Sequence, residues 1–225
     1  MSRSLKYDIP GDDPRLSLAD VAATGWDEIF AKNRSSPEDR LRVPRKRVLE
    51  IGFGRGEFLL AIAARSPEID FIGIEISFKR TLKMARKVAR AKLGNVRLLE
   101  ARAQSVLAQL FLPGSLSEIW LNFSDPWPKA RHAHRRLVQP EFVRAAAGAL
   151  ESGGVFYVAT DDVRYAHQID EVLTAETMLF NQYAPWPYLN DVPGRAYTGY
   201  EEQWRAAGRP LHFFAFSTTP PEGIQ

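Results

Sequence analysis

From Arg47 onward, apolar residues fall in short runs separated by stretches in which they recur at helical spacing. Arg47 to Ile51 reads as a strand, Gly52 to Gly56 as a glycine-rich turn, and Glu57 to Arg65 as a helix. Asp70 to Ile76 predicts the next strand and Phe78 to Leu93 a long helix. Val96–Glu100, Glu118–Phe123, Gly154–Ala159 and Leu211–Ser217 are further strand candidates; Gln139–Leu150 and Arg164–Ala175 are helix candidates. Such alternation predicts an α/β fold, a mostly parallel sheet with helices on both faces. Residues 1–45 differ: they are polar and broken by prolines, with one helix expected over Leu16 to Ala31. The chain therefore divides into an N-terminal extension, 1–45, and one domain, 46–225.

Composition narrows the chemistry. With no cysteine, disulfides and thiolate metal sites are excluded. The first residues lack the apolar stretch of a signal peptide, and the run Phe58 to Ala64 is too short for a bilayer. The expectation is a cytoplasmic protein with no membrane partner. Net charge is only +3, so the distribution of charge matters more than its sum. Lys79 to Lys92 holds seven Lys or Arg and no acid; Lys129 to Arg136 holds four, plus His132 and His134. The first segment lies on the predicted helix, where it is either a grip for RNA phosphates or a solvated face. The four histidines have no metal-ligand spacing, and no metal is expected.

The turn at Gly52, Gly54 and Gly56 is the strongest sign of a small-molecule site, because glycines allow a strand-to-helix turn to approach a ligand closely. In open α/β sheets that ligand lies at the carboxyl ends of the strands. A dinucleotide fingerprint would put Gly or Ala at position 57, where Glu57 stands, which disfavours a nicotinamide-dependent dehydrogenase. The carboxylates of Glu50 and Glu57 would repel a pyrophosphate. They suit S-adenosylmethionine, which carries a sulfonium and an ammonium. Glu75, ending its strand, is spaced to reach a ribose diol.

Ser124-Asp125-Pro126-Trp127-Pro128-Lys129 leaves the end of another strand. Each proline fixes its own φ and restricts the residue before it, so Asp125 is held. Trp127 offers a flat surface for a base unless it packs in the core, and Lys129, Arg131, Arg135 and Arg136 suit phosphates.

The run Asn122-Phe123-Ser124-Asp125-Pro126-Trp127-Pro128-Lys129-Ala130-Arg131-His132, continuing to Arg135-Arg136-Leu137, resembles the signature of the bacterial tRNA (guanine-N7-)-methyltransferases. The resemblance runs from about Arg47 to Phe216 and takes in Ala159-Thr160-Asp161 and Thr198-Gly199-Tyr200-Glu201-Glu202. It implies a Rossmann-like class I methyltransferase fold, S-adenosyl-L-methionine as methyl donor, and a variable-loop guanine of tRNA as acceptor. By resemblance, Glu50, Glu75 and Asp125 match positions that contact the cofactor or serve the active site, with Asp125 the catalytic candidate. Gly52, Gly54, Gly56 and Asn122 join the expected cofactor set. Lys129, Asp161, Thr198 and Glu201 match substrate-contacting positions, with Gly199 and Tyr200 between them. Two positions depart from the pattern. Arg102 stands where the family usually has an acid near the adenine, with Glu100 and Gln104 as candidate substitutes, and Gly199 replaces a residue that many relatives carry charged.

Asp161 or Asp162 could alternatively cap the helix that follows. The alternative functions are methylation of another RNA or a small molecule, and RNA binding without catalysis. No obligate protein partner is expected, and the chain is read as a monomer or homodimer.

Overall fold

The computed structural model describes residues 8–32 and 45–221. Among them, β1 (Arg15–Leu16), α1 (Leu18–Thr24) and α2 (Trp26–Ala31) precede the main alternation. That alternation runs β2 (Arg47–Ile51), α3 (Glu57–Arg65), β3 (Asp70–Glu75), α4 (Phe78–Ala91), β4 (Val96–Glu100), α5 (Ala103–Leu110) and β5 (Leu116–Asn122). A 3-10 helix over Ala130–Arg135 follows, then α6 (Pro140–Ala149), β6 (Leu150–Thr160), α7 (Val163–Ala175), β7 (Phe180–Asn181), α8 (Gly199–Ala206) and β8 (His212–Ser217).

The strands form one sheet in the order β1-β4-β3-β2-β5-β6-β8-β7. Pairings from β1 through β6 are parallel, while β8 is antiparallel to both β6 and β7. This is the expected Rossmann-like doubly wound sheet. The chain winds outward from β2 to β4, then crosses back to place β5 on the other side of β2. The crevice between β2 and β5 is thus the topological switch point, where such sheets bind ligands.

Burial follows the predicted pattern. β2 and β3 are buried along their whole length, as strands covered on both faces must be. Leu82, Ala85 and Val88 of α4 pack on the sheet with Met84. Opposite them, Arg86 donates to the Asp8 carbonyl, Lys87 to the Arg55 carbonyl, and Arg80 lies 3.6 Å from Glu75. Three of the seven basic residues therefore brace the protein, while Lys79, Lys83, Arg90 and Lys92 stay exposed.

Residues 8–32 pack as part of the same body. Arg15–Leu16 adds a parallel strand beside β4. Trp26, Ile29 and Phe30 join the main core, and the Trp26 indole N–H donates to the Leu110 carbonyl at 2.8 Å. The single helix expected here is two, because Gly25 (φ 78°) ends α1 and starts α2. α5, β7 and α8 were not anticipated. The segment at 198–201 is the start of α8, with the Thr198 side chain capping it by accepting from the Glu201 N–H.

Candidate active site

A cavity of about 310 Å³ opens at the switch point, lined among others by Glu50, Gly52, Gly54, Asn122, Asp125 and Thr198. The glycine turn and the Asp-Pro-Trp segment, 73 residues apart between Gly52 and Asp125, thus share one cleft. Phe53, Arg55, Glu57 and Tyr200 also face it, and Arg55 lies over the Tyr200 ring at 5.8 Å, joining turn and α8.

The turn is shaped by its glycines. Gly56 takes a left-handed conformation (φ 76°) as the N-cap of α3, and a Cβ there would run into the Met84 thioether. Glu75 accepts the Gly54 N–H and the Ser77 N–H, each at 3.0 Å, so its carboxylate ties the turn to β3.

Glu50, the penultimate residue of β2, has only 1% of its surface exposed. Its Oε1 accepts from the Asn122 amide at 3.2 Å; its Oε2 finds no partner among the described residues. Burial pushes its carboxyl up to about 7, against the opposing pull of the Asn122 bond, the Arg195 charge and, more weakly, the Leu59 backbone N–H. A buried, half-satisfied carboxyl at a cavity wall is an acceptor for a cation.

Asp125 is exposed at the mouth, where its Oδ1 accepts the Trp127 N–H at 3.1 Å. The residues on either side of this carboxylate carry unusual backbone: Phe123 has φ 53° and Trp127 φ 42°. Left-handed conformations at non-glycine residues cost about 1–3 kcal/mol each and persist where surrounding structure enforces them. At Phe123 that structure is a bond from its N–H to the Ala159 carbonyl and edge contact with Phe213.

Trp127 is half-buried beneath Arg135, whose guanidinium sits 5.0 Å from the ring centroid, with His132 at its edge. Lys129 and Arg131 are exposed. Arg136 is not a phosphate ligand: it is 7% exposed, donates to the Pro126 carbonyl and to Gln168 at 2.7 Å each, and covers the Tyr165 ring. It locks the loop to α7.

The other expected substrate residues divide. Thr198 and Tyr200 face the cavity. Gly199 lies against Glu57, whose Oε2 would be 3.2 Å from a Cβ at 199, so a larger side chain would press on that carboxylate. Glu201 is fully buried and ion-paired to Arg195 and Arg205. Asp161 lies 3.4 Å from Arg209, and the cap of α7 is Asp162, which accepts from Tyr165 N–H at 2.8 Å. Arg102 is exposed at the start of α5, outside the cavity lining, as are Glu100 and Gln104.

Arg195 was not anticipated. Nothing in Pro193-Gly194-Arg195 marks it, because its partners Asn122 and Glu201 come from other elements. Among the described residues, no cluster of His, Cys, Asp and Glu could hold a metal, and no helix is long and apolar enough to cross a membrane.

Residues 44–214 match the family model Methyltransf_4, described as "Putative methyltransferase". The tRNA (guanine-N(7)-)-methyltransferase of Alkalilimnicola ehrlichii is 48% identical over 144 residues, 64% of this chain and 60% of that protein. That of Cutibacterium acnes is 37% identical over 206 residues, 91% of this chain and 71% of that protein. The chain thus spans about three fifths of the first relative's length. Among solved structures, the 16S rRNA methyltransferase KamB superposes with a TM-score of 0.57 at 19% identity, covering 83% of this chain and 94% of that one, which supports the class I methyltransferase fold.

Proposed function

Since the chain belongs to the family of tRNA (guanine-N(7)-)-methyltransferases, we propose that it transfers a methyl group from S-adenosylmethionine to N7 of a guanine in the tRNA variable loop. The observation that carries this reading is the shared cleft, with the unpartnered Glu50 oxygen on its wall and Asp125 at its mouth. The residues fit the cofactor's charges: Glu50 Oε2 would accept its ammonium, while the carboxylate of Glu75 secures the turn on which it rests. The donor supplies an electrophilic methyl on a sulfonium.

The acceptor N7 carries a lone pair and no proton. A new N7–CH₃ bond forms as the C–S bond breaks, its electron pair stays on sulfur, and the positive charge passes to the purine. No general base is required, so the protein's task is alignment, together with electrostatic support for the charged ring. Asp125 supplies both, since its negative charge is fixed at the rim by the Trp127 N–H and two strained residues. It can also accept from the guanine N1–H and 2-amino group. Thr198 and Tyr200 flank the same entrance, and exposed Lys129 and Arg131 supply phosphate contacts. We assign the protein to the cytoplasm on the location of such tRNA chemistry in bacteria.

The test is radiolabelled methyl transfer to unmodified tRNA, with a transcript whose variable-loop guanine is replaced by adenine. Label in the first and none in the second supports the assignment; equal labelling would overturn the site of transfer. Asp125→Asn should lower kcat by about 100-fold, the scale of one lost electrostatic stabiliser, with cofactor affinity unchanged. An Asn variant with normal turnover would remove Asp125 from the chemistry.

A further inference from the structure

Arg195, outside the expected site, is a closely held charged group. Its side chain is 5% exposed, and its guanidinium sits 4.9 Å from the Phe213 ring centroid, 5.4 Å from Phe58 and 5.7 Å from Trp120. One arm donates to Glu201 Oε2 and the other to Asn122 Oδ1. Glu201 in turn takes Arg205 on its Oε1, and Arg205 pairs with Asp191 at 2.8 Å.

Two consequences follow from donor–acceptor logic. Asn122 has one acceptor and one donor end. With Arg195 on the oxygen, the NH₂ must point the other way, where it meets Glu50 Oε1. The orientation of Asn122, and with it the fixed position of the Glu50 carboxyl, is therefore set by Arg195. Charge gives the second consequence. Arg195, Glu201, Arg205 and Asp191 form two positive and two negative groups, a neutral set that leaves ionised Glu50 without a counterion of its own.

We propose that Arg195 is a positioning residue that couples helix α8 to the cofactor's ammonium site, by holding Asn122 toward Glu50 while anchoring Glu201. This rests on the proposed function, because it takes the cation at Glu50 to be that of S-adenosylmethionine. Helix α8 carries Thr198 and Tyr200 on the entrance, so its placement and the readiness of Glu50 are joined through one guanidinium. The groups facing Glu50 are Asn122, Arg195 and the Leu59 backbone N–H, which favour its ionised form, and Glu57, which opposes it; Arg80, Arg55 and Asp125 line the same cavity.

The test is calorimetric binding of S-adenosylmethionine to the full chain between pH 5.5 and 7.5, with affinity expressed per ammonium form of the ligand, because an α-amino group begins to titrate at the upper end. Methylthioadenosine, which lacks the ammonium, serves as the control probe. Wild-type affinity for S-adenosylmethionine should rise with pH while that for methylthioadenosine stays flat. Arg195→Met should bind S-adenosylmethionine about 10-fold more weakly, the cost of one charged hydrogen bond, and its rise with pH should move to higher pH, continuing at the top of the window where the wild-type curve levels, because Glu50 loses a charge that favours its ionised form. Arg195→Lys keeps the charge but not the two-armed donor, so it should retain the rise while losing affinity. A folded Arg195→Met with a wild-type pH profile overturns the coupling. Should the Met variant fail to fold, wild-type affinity in Arg195→Lys overturns it instead. If the wild-type protein binds no S-adenosylmethionine, the proposed function falls and this inference falls with it; binding with an unmoved profile in Arg195→Met removes the inference alone.

Discussion

Glu50→Gln isolates the cost of a buried carboxyl with no cation beside it. In the folded protein this group holds its proton up to about 7, whereas an unperturbed glutamate releases it near 4.5. Between those two values only the unfolded chain releases the proton, so rising pH favours unfolding across that window. At 1.36 kcal/mol per unit, ionised Glu50 opposes folding by roughly 3 kcal/mol above pH 7. The difference between pH 5.5 and pH 8.5 is about 2 kcal/mol. Glutamine has the same shape and can still accept from Asn122, but it has no charge to bury. In a chain of 225 residues, each kcal/mol moves Tm by roughly 2–4 °C. Thermal melts of both proteins should therefore give a Tm gain for Glu50→Gln that grows by roughly 4–8 °C from pH 5.5 to 8.5. Comparing the two proteins at each pH cancels other titrations, including that of buried His212, whose lowered pKa costs stability as pH falls through about 6.5. The stabilised variant should also bind S-adenosylmethionine poorly, since Gln offers no counterion. A Tm difference that is constant with pH would refute the account of Glu50.

Gly56→Ala forces a methyl onto the Met84 thioether at a left-handed position, and should cost about 2–4 kcal/mol, read as a lower denaturation midpoint at unchanged m-value. Gly54→Ala, with 3.8 Å to the nearest atom, should cost less. Arg136→Met removes two part-buried hydrogen bonds from a charged donor and should lower stability by about 3 kcal/mol, while leaving the salt dependence of tRNA binding unaltered. Lys129→Ala should do the reverse, reducing the slope of log affinity against log salt by about one with little change in Tm.

The sequence by itself determined the frame of this protein. β2, α3, β3 and α4 were legible because each carries its own periodicity, and because the glycines at 52, 54 and 56 mark where strand becomes helix. The Asp-Pro-Trp segment announced a stiff strand exit through its prolines, which act on their own neighbours. The start of α8 is signalled too, by Thr198 followed three residues later by Glu201, although its polar sequence gives no apolar stripe to mark the helix. α5 lacks even a capping side chain, and is a helix because Val106 and Leu107 find the core. Only the tertiary structure could decide the rest. It turned Arg136 inward as a brace, buried Glu201 between two guanidiniums, and made Arg195 the link between Asn122 and α8. It also set the proton affinity of Glu50 through burial and through neighbours 72 and 145 residues along the chain. Local patterns fix backbone conformation because the interactions responsible span a few residues. Ion pairing, burial and pKa depend on which distant side chains share a low-dielectric space, and that is settled only when the sheet is assembled.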